Sequence, residues 1–280
     1  MRIEQTRKLF SSGILPKPQP TSCLENLGER LSALRLVFAA EQLSDLISQS
    51  VKEDWTSIEF LDALLRLELE RQEERRVAQA IRISHLPTGP TISNFDFAYQ
   101  PSVSRSQIET LATCQWLRGR HGLLLQGPPG VGKSHLAIAL GLRGIENGFS
   151  VSFYRADELV YQLKQDVDVS PARLKHKKYM ASSLLIVDEF GYQPLSREES
   201  NLLFRVVNYR YQRGSIAITT NKAITSWPEV LGRDEVLAGA ILDRLLHSAT
   251  VLNIQGRSYR LRDIEASIGL VSPSVVVTDA

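Results

Sequence analysis

The stretch "LLLQGPPGVGKSHLAIAL", residues 123–140, decides how the rest of the chain is read. An apolar run stops at glycine and proline, a lysine and a serine follow, and amphipathic helical text begins. Gly127, Pro128, Pro129, Gly130, Val131, Gly132, Lys133 and Ser134 satisfy G-x-x-x-x-G-K-[ST] between a predicted strand and a predicted helix. Glycines let successive backbone N–H groups turn inward around phosphates, and the helix N-terminus adds partial positive charge. Lys133 is expected to reach the β- and γ-phosphates. Ser134 is expected to offer its hydroxyl to Mg²⁺, and His135 lies in the same first turn. A nucleoside triphosphate is therefore expected here, but the loop does not say what it is used for.

The text beyond the loop repeats the pattern. "GLLLQ", "VSFYR", "SLLIVDE", "GSIAITTN" and "ATVLNI" are short β-rich runs separated by helical text. Such alternation predicts an α/β domain, a five-stranded parallel sheet with flanking helices. Upstream, Leu27, Leu31, Leu34 and Phe38, then Phe60, Leu61, Leu64, Leu65 and Leu67, recur at helical steps and predict a small all-α N-terminal domain. "DWTS" offers Thr56 or Ser57 as an N-cap, with Glu59 in the first turn. "HLPTGP" breaks the last helix, which places the boundary near residue 86. The expected organisation is an irregular lead (1–20), helices (21–85), a nucleotide-binding domain (86–268) and a loose tail (269–280).

Composition excludes several classes. The 280 residues are 43% apolar and 23% charged, as in a globular protein. No run approaches the roughly 18 apolar residues of a membrane span. "MRIEQTRKLFSSG" lacks the apolar core of a signal peptide, so a cytoplasmic location is expected. Cys23 and Cys114 form no CxxC and predict no disulfide framework. A net charge of +2 leaves any case for nucleic acid to local patches.

"SLLIVDEF", residues 183–190, places two carboxylates at the C-terminal end of a buried strand, where ligands of open α/β sheets gather. Asp188 is expected to hold the magnesium. Glu189 is expected to polarise the attacking water, which favours hydrolysis over mere binding. Asn221, after "SIAITT", is either a turn former or a sensor of the γ-phosphate. Arg244, in "AILDRLLH", reads by itself as a surface ion pair with Asp243 or another acid. "ARLKHKKYM" carries Arg173, Lys175, Lys177 and Lys178 within six residues. Such a run is either a solvated face or a set of sequence-independent phosphate contacts. Arg155 and Lys164, after the second strand, are candidates for the same DNA surface.

"FDFAYQ", "GPPGVGKSHLAIALG", "LLIVDEFGYQPLSREESNLLFRVVNYRYQRGSIAITTNKAITSW" and "DEVLAGAILDRLLHSATVLNIQGRSYRLR" together resemble the IstB family. Its members are AAA+ ATPase helpers of transposition encoded by insertion sequences, and are relatives of the DnaC helicase loaders. The resemblance spans roughly residues 24–265, and one departure is "TTN" where "TSN" is more usual. It implies an AAA+ module that binds ATP and Mg²⁺, forms homo-oligomers on double-stranded DNA and delivers that target to a cognate transposase. It also implies an arginine finger at Arg244, a second phosphate sensor at Arg260, and Phe95 and Phe97 near the adenine unless they belong to the core. The alternatives are a DnaC-like helicase loader and a nucleotide-switched scaffold, and Glu189 argues against the scaffold.

Overall fold

A computed structural model describes residues 23–261. The expected irregular lead (1–20) and loose tail (269–280) lie outside the described residues, as does the side chain of Cys23. The chain divides into two compact units between Arg76 and Val77. In the first, helices α1 (Cys23–Ala33), α2 (Val37–Lys52) and α3 (Ser57–Ser84) pack around Leu31, Ala39, Leu43, Leu46 and Leu64. Helix α3 starts at a capping box: Thr56 Oγ1 accepts from the Glu59 N–H (3.3 Å) and the Glu59 carboxylate accepts from the Thr56 N–H (2.7 Å). Helix α2 has Leu36 at its N-cap, which offers no oxygen; the buried Glu68 of α3 accepts from the Ala39 N–H instead (2.9 Å).

The unit division falls inside α3, ahead of the helix-breaking "HLPTGP" near residue 86. The reason lies in the last turns of α3, where Val77, Ala80 and Ile81 pack on the core of the second unit. That unit continues with α4 (Arg105–Ala112), α5 (Gln115–Arg118), β1 (Leu123–Gln126), α6 (Lys133–Glu146), β2 (Val151–Arg155) and α7 (Ala156–Gln165). Next come α8 (Pro171–Leu174), α9 (Lys178–Ala181), β3 (Leu184–Phe190), α10 (Arg197–Arg210), β4 (Ser215–Thr220), α11 (Trp227–Val230), α12 (Glu235–Leu246) and β5 (Thr250–Asn253).

Among the described residues the five strands form one parallel sheet in the order β2-β3-β4-β1-β5, and each falls on one of the five runs read from the sequence, β3 extending one residue past its run to Phe190. Side chains alternate between its faces. Leu123, Leu125, Leu184, Ile186 and Leu252 join α6 on one side, while Leu124, Leu185, Val187, Ile216 and Ile218 meet α7, α10 and α12 on the other. Covering both faces is what makes the strands near-continuously apolar. A parallel sheet also has two distinct ends. The loops after β1, β3 and β4 share the C-terminal edge, and those leading into β1, β4 and β5 share the opposite one.

Candidate active site

The turn after β1 is glycine-dependent at two points. A Cβ on Gly127 (φ +156°) would lie 2.0 Å from the Ile254 carbonyl, and one on Gly132 (φ +94°) would lie 2.6 Å from the Phe95 ring. Helix α6 therefore begins directly at Lys133, with its first N–H groups facing the loop. Lys133 Nζ donates to the Pro128 carbonyl (2.7 Å), which holds the ammonium over the loop. The segment after β5 crosses the same loop, because the Tyr259 N–H donates to Gly130 O (2.9 Å).

Strand β4 lies between β1 and β3, so the residues at its end join the loop to the acidic strand. Ser134 Oγ donates to Asp188 Oδ1 (2.7 Å), and Thr219 Oγ1 donates to the same oxygen (2.5 Å). Asp188 is buried, and these two bonds satisfy its oxygen there. Thr219 Oγ1 in turn accepts from the Glu189 N–H (2.9 Å). Sequence reasoning passed over Thr219. The available signal was a threonine pair ending an otherwise apolar strand.

Glu189 has φ +57° at a register shift between Val187 and Phe190, an uncommon conformation for a side-chain-bearing residue. The bulge turns its carboxylate out of the sheet while Asp188 stays inside. Arg155, at the end of β2, meets that carboxylate with Nη2–Oε2 at 3.0 Å and meets Asp157 at 3.4 Å. The Glu189 charge, then that of Asp157, raises the Arg155 guanidinium above its ordinary value. Arg155, Lys164, Glu189 and Glu199 line one cleft of about 300 Å³.

The other expected residues are placed unequally. Asn221 is exposed immediately after β4, beside Asp188 and Glu189 in the edge. The His135 ring nitrogen lies 2.8 Å from Thr91 O and its ring 5.4 Å from Phe95, so its side chain is engaged away from the glycines. Phe95 is buried in the core beneath Gly132, edge-on to Phe97. Arg244 is at the opposite edge of the sheet, on the last turn of α12, donating to Asn208 Oδ1 and Ala240 O (both 2.9 Å). Asp243 is not its partner in these bonds. Arg260 falls in the 3₁₀ turn Tyr259–Leu261, and its side chain lies outside the described residues.

The basic run does not form one stripe, because α8 and α9 break it into two short helices. Lys177 pairs with the buried Asp166 (2.7 Å), which also accepts from Tyr179. Lys178 donates to Ile83 O (2.9 Å), and Lys164 is paired with Glu199. Arg173, Lys175 and Lys178 are the exposed cations of the run, and Lys178 keeps its charge because Ile83 O is neutral.

The donor set fits magnesium nucleotide. One hydroxyl and one buried carboxylate are hard oxygen ligands of the kind Mg²⁺ takes alongside phosphates, and the two glycines permit the tight loop turn, where a Cβ would meet Ile254 and Phe95. Ser134 and Asp188 would hold the ion, which supplies neutralisation of phosphate charge. The family model described as IstB-like ATP binding protein matches residues 29–267. This chain belongs to the IstB-like family. An insertion sequence IS21 ATP-binding protein of Pseudomonas aeruginosa is 36% identical over 89% of this chain and 94% of its own length. An IS5376 ATP-binding protein of Geobacillus stearothermophilus is 37% identical over 85% of this chain and 95% of its own. Among solved structures, AMPPCP-bound DnaA from Aquifex aeolicus resembles the IstB-like chain with a TM-score of 0.50 at 16% identity, covering 66% of this chain and 56% of that one. At that identity the likeness concerns the fold, that of an AAA+ P-loop domain. No helix among the described residues of this IstB-like protein is long and apolar enough to cross a membrane.

Proposed function

We propose that this chain is a DNA-stimulated ATPase that assembles on double-stranded DNA as a homo-oligomer and delivers that target to a cognate transposase. The observation that carries the reading is the joined cluster Ser134–Asp188–Thr219 beneath the phosphate loop, with Glu189 turned out beside it. Lys133 and the α6 N-terminus bind the phosphates, Ser134 and Asp188 hold Mg²⁺, and Glu189 accepts the proton of the attacking water. Asn221 orients that water from the end of β4.

Arg244 lies at the far edge of its own sheet, about 13 Å away for a four-residue strand. Such a guanidinium serves a phosphate on another copy more readily than its own, and that supports a site completed between subunits. The assembly leaves Arg173 and Lys175 to meet DNA phosphates, and the insertion-sequence relatives support the transposase as partner.

The test is turnover in mixtures, read as DNA-stimulated phosphate release. Arg244→Ala and Lys133→Ala proteins, each inactive alone, should regain hydrolysis when mixed, because one supplies the loop and the other the finger. Absence of recovery at any ratio would mean that Arg244 does not act across a subunit boundary.

A further inference from the structure

The N-terminal edge of the sheet holds a cavity of about 400 Å³, and of its lining only Arg244 has been given a part in the nucleotide chemistry. It is lined by the loop into β1, the turn between α10 and β4, and the end of α12. Arg118, Arg120, His121, Arg210, Arg244 and His247 are among its walls, and no aspartate or glutamate is among the described residues that line it.

Arg210 makes this more than a basic surface. Its side chain is 1% exposed, and its guanidinium donates to the carbonyls of Tyr179 (3.2 Å), Met180 (3.1 Å), Ser183 (3.4 Å) and Ser215 (2.7 Å). Carbonyls satisfy donors but bring no counter-charge, and the buried Nε has no partner. Burial pulls the group down to about 10. A buried cation without an anion is costly, and here five further basic side chains stand around the same space. The arginines at the rim spend their donors on neutral groups: Arg120 on Gln212 O and Arg244 on Asn208 and Ala240.

We propose that this cavity is a binding site for a phosphate group, held by Arg118, Arg120, His121, Arg244 and His247 above Arg210. Arginines in the walls of one space can supply forked donors to an anion with several acceptor oxygens. A volume of about 400 Å³ suits a small ligand better than the continuous backbone of a duplex. Free inorganic phosphate and the phosphate chain of a nucleotide share this chemistry. The site stands whether or not Arg244 reaches a second copy, and its test leaves Arg244 unchanged.

The full chain carrying Lys133→Ala is titrated with inorganic phosphate and, separately, with tripolyphosphate, following the thermal midpoint against chloride at equal ionic strength. Both anions, or one, should raise the midpoint, and the one acting at lower concentration names the source. Adding Arg118→Gln with His247→Gln should raise the anion concentration needed roughly tenfold. Arg120→Gln with His121→Gln is the second pair if the first does not fold. A response equal in parent and variants, none beyond that of chloride, or one confined to duplex DNA would overturn the assignment.

Discussion

Glu189 and Asp188 are sequence neighbours with opposite situations. Asp188 is buried and bonded to two hydroxyls, while the Glu189 carboxylate faces the cleft with Arg155 against it. The Arg155–Glu189 pair is roughly half exposed on both sides, and such pairs contribute about 1 kcal/mol or less. Removing the arginine should free the base at little structural cost, so Arg155→Ala is expected to raise turnover without DNA by up to about fivefold. A fall in that rate would mean that Arg155 serves the reaction itself. Glu189→Gln should retain nucleotide and lower phosphate release by at least about a hundredfold. Thr219→Val removes a donor to Asp188 and the acceptor of the Glu189 N–H with little change of shape. We expect a loss of about 1–3 kcal/mol in denaturant unfolding and weaker magnesium–nucleotide binding. Asp188, Glu189 and the loop lysine were legible because their spacing follows the strand and turn. Thr219 was not, because its importance lies in a bond to a residue 31 positions away.

At the scale of elements, helix starts were legible where the cap is local. Thr56 with Glu59 is the case read there. Ser196 with Glu199 at the head of α10 is a second capping box, not read from the sequence: the Ser196 N–H donates to Glu199 (2.7 Å) and the Glu199 N–H to Ser196 Oγ (3.2 Å). Lys164 foremost, then the Ser196 N–H, holds the Glu199 carboxyl below its ordinary value. The native state thus releases this proton more readily than the unfolded chain. Its stabilisation is present above the unfolded glutamate value of about 4.3 and is lost as pH falls through the lowered native value. Glu199→Gln should cost about 1 kcal/mol at neutral pH and abolish that part of the acid dependence, measured by urea melts across pH 3–7. The start of α2 had no such local signal, because its cap comes from Glu68 on another helix. Helical periodicity likewise overreached in α3. Leu64 is buried as expected, but Leu61 and Leu65 are exposed at 54% and 43%, since the run named a wider apolar face than the first unit covers.

For the whole molecule, the order of strands decides which groups can act together. Placing β4 between β1 and β3 gathers the loop, both carboxylates and Asn221 at one edge, and puts Arg244 and the basic cavity at the other. The basic run offers fewer free charges than its sequence suggested, because Lys177 is paired with Asp166. Arg173→Glu with Lys175→Glu should weaken duplex binding and reduce the slope of log affinity against log salt by about 2, since each phosphate contact contributes about 0.9. An unchanged slope would move the DNA surface elsewhere. The sequence by itself determined what is encoded at short range: the glycine-loop turn, the five strands, the acidic strand end and the separate helical segment. Each depends on dihedral preference, period or spacing within a few residues. Only the tertiary structure decided which cations are already paired, that Thr219 joins Asp188 to Glu189, and that a buried Arg210 faces a cavity without a counter-ion. Those facts depend on charges and donors brought together from distant parts of the chain, where burial sets their energies and sequence spacing carries no trace of them.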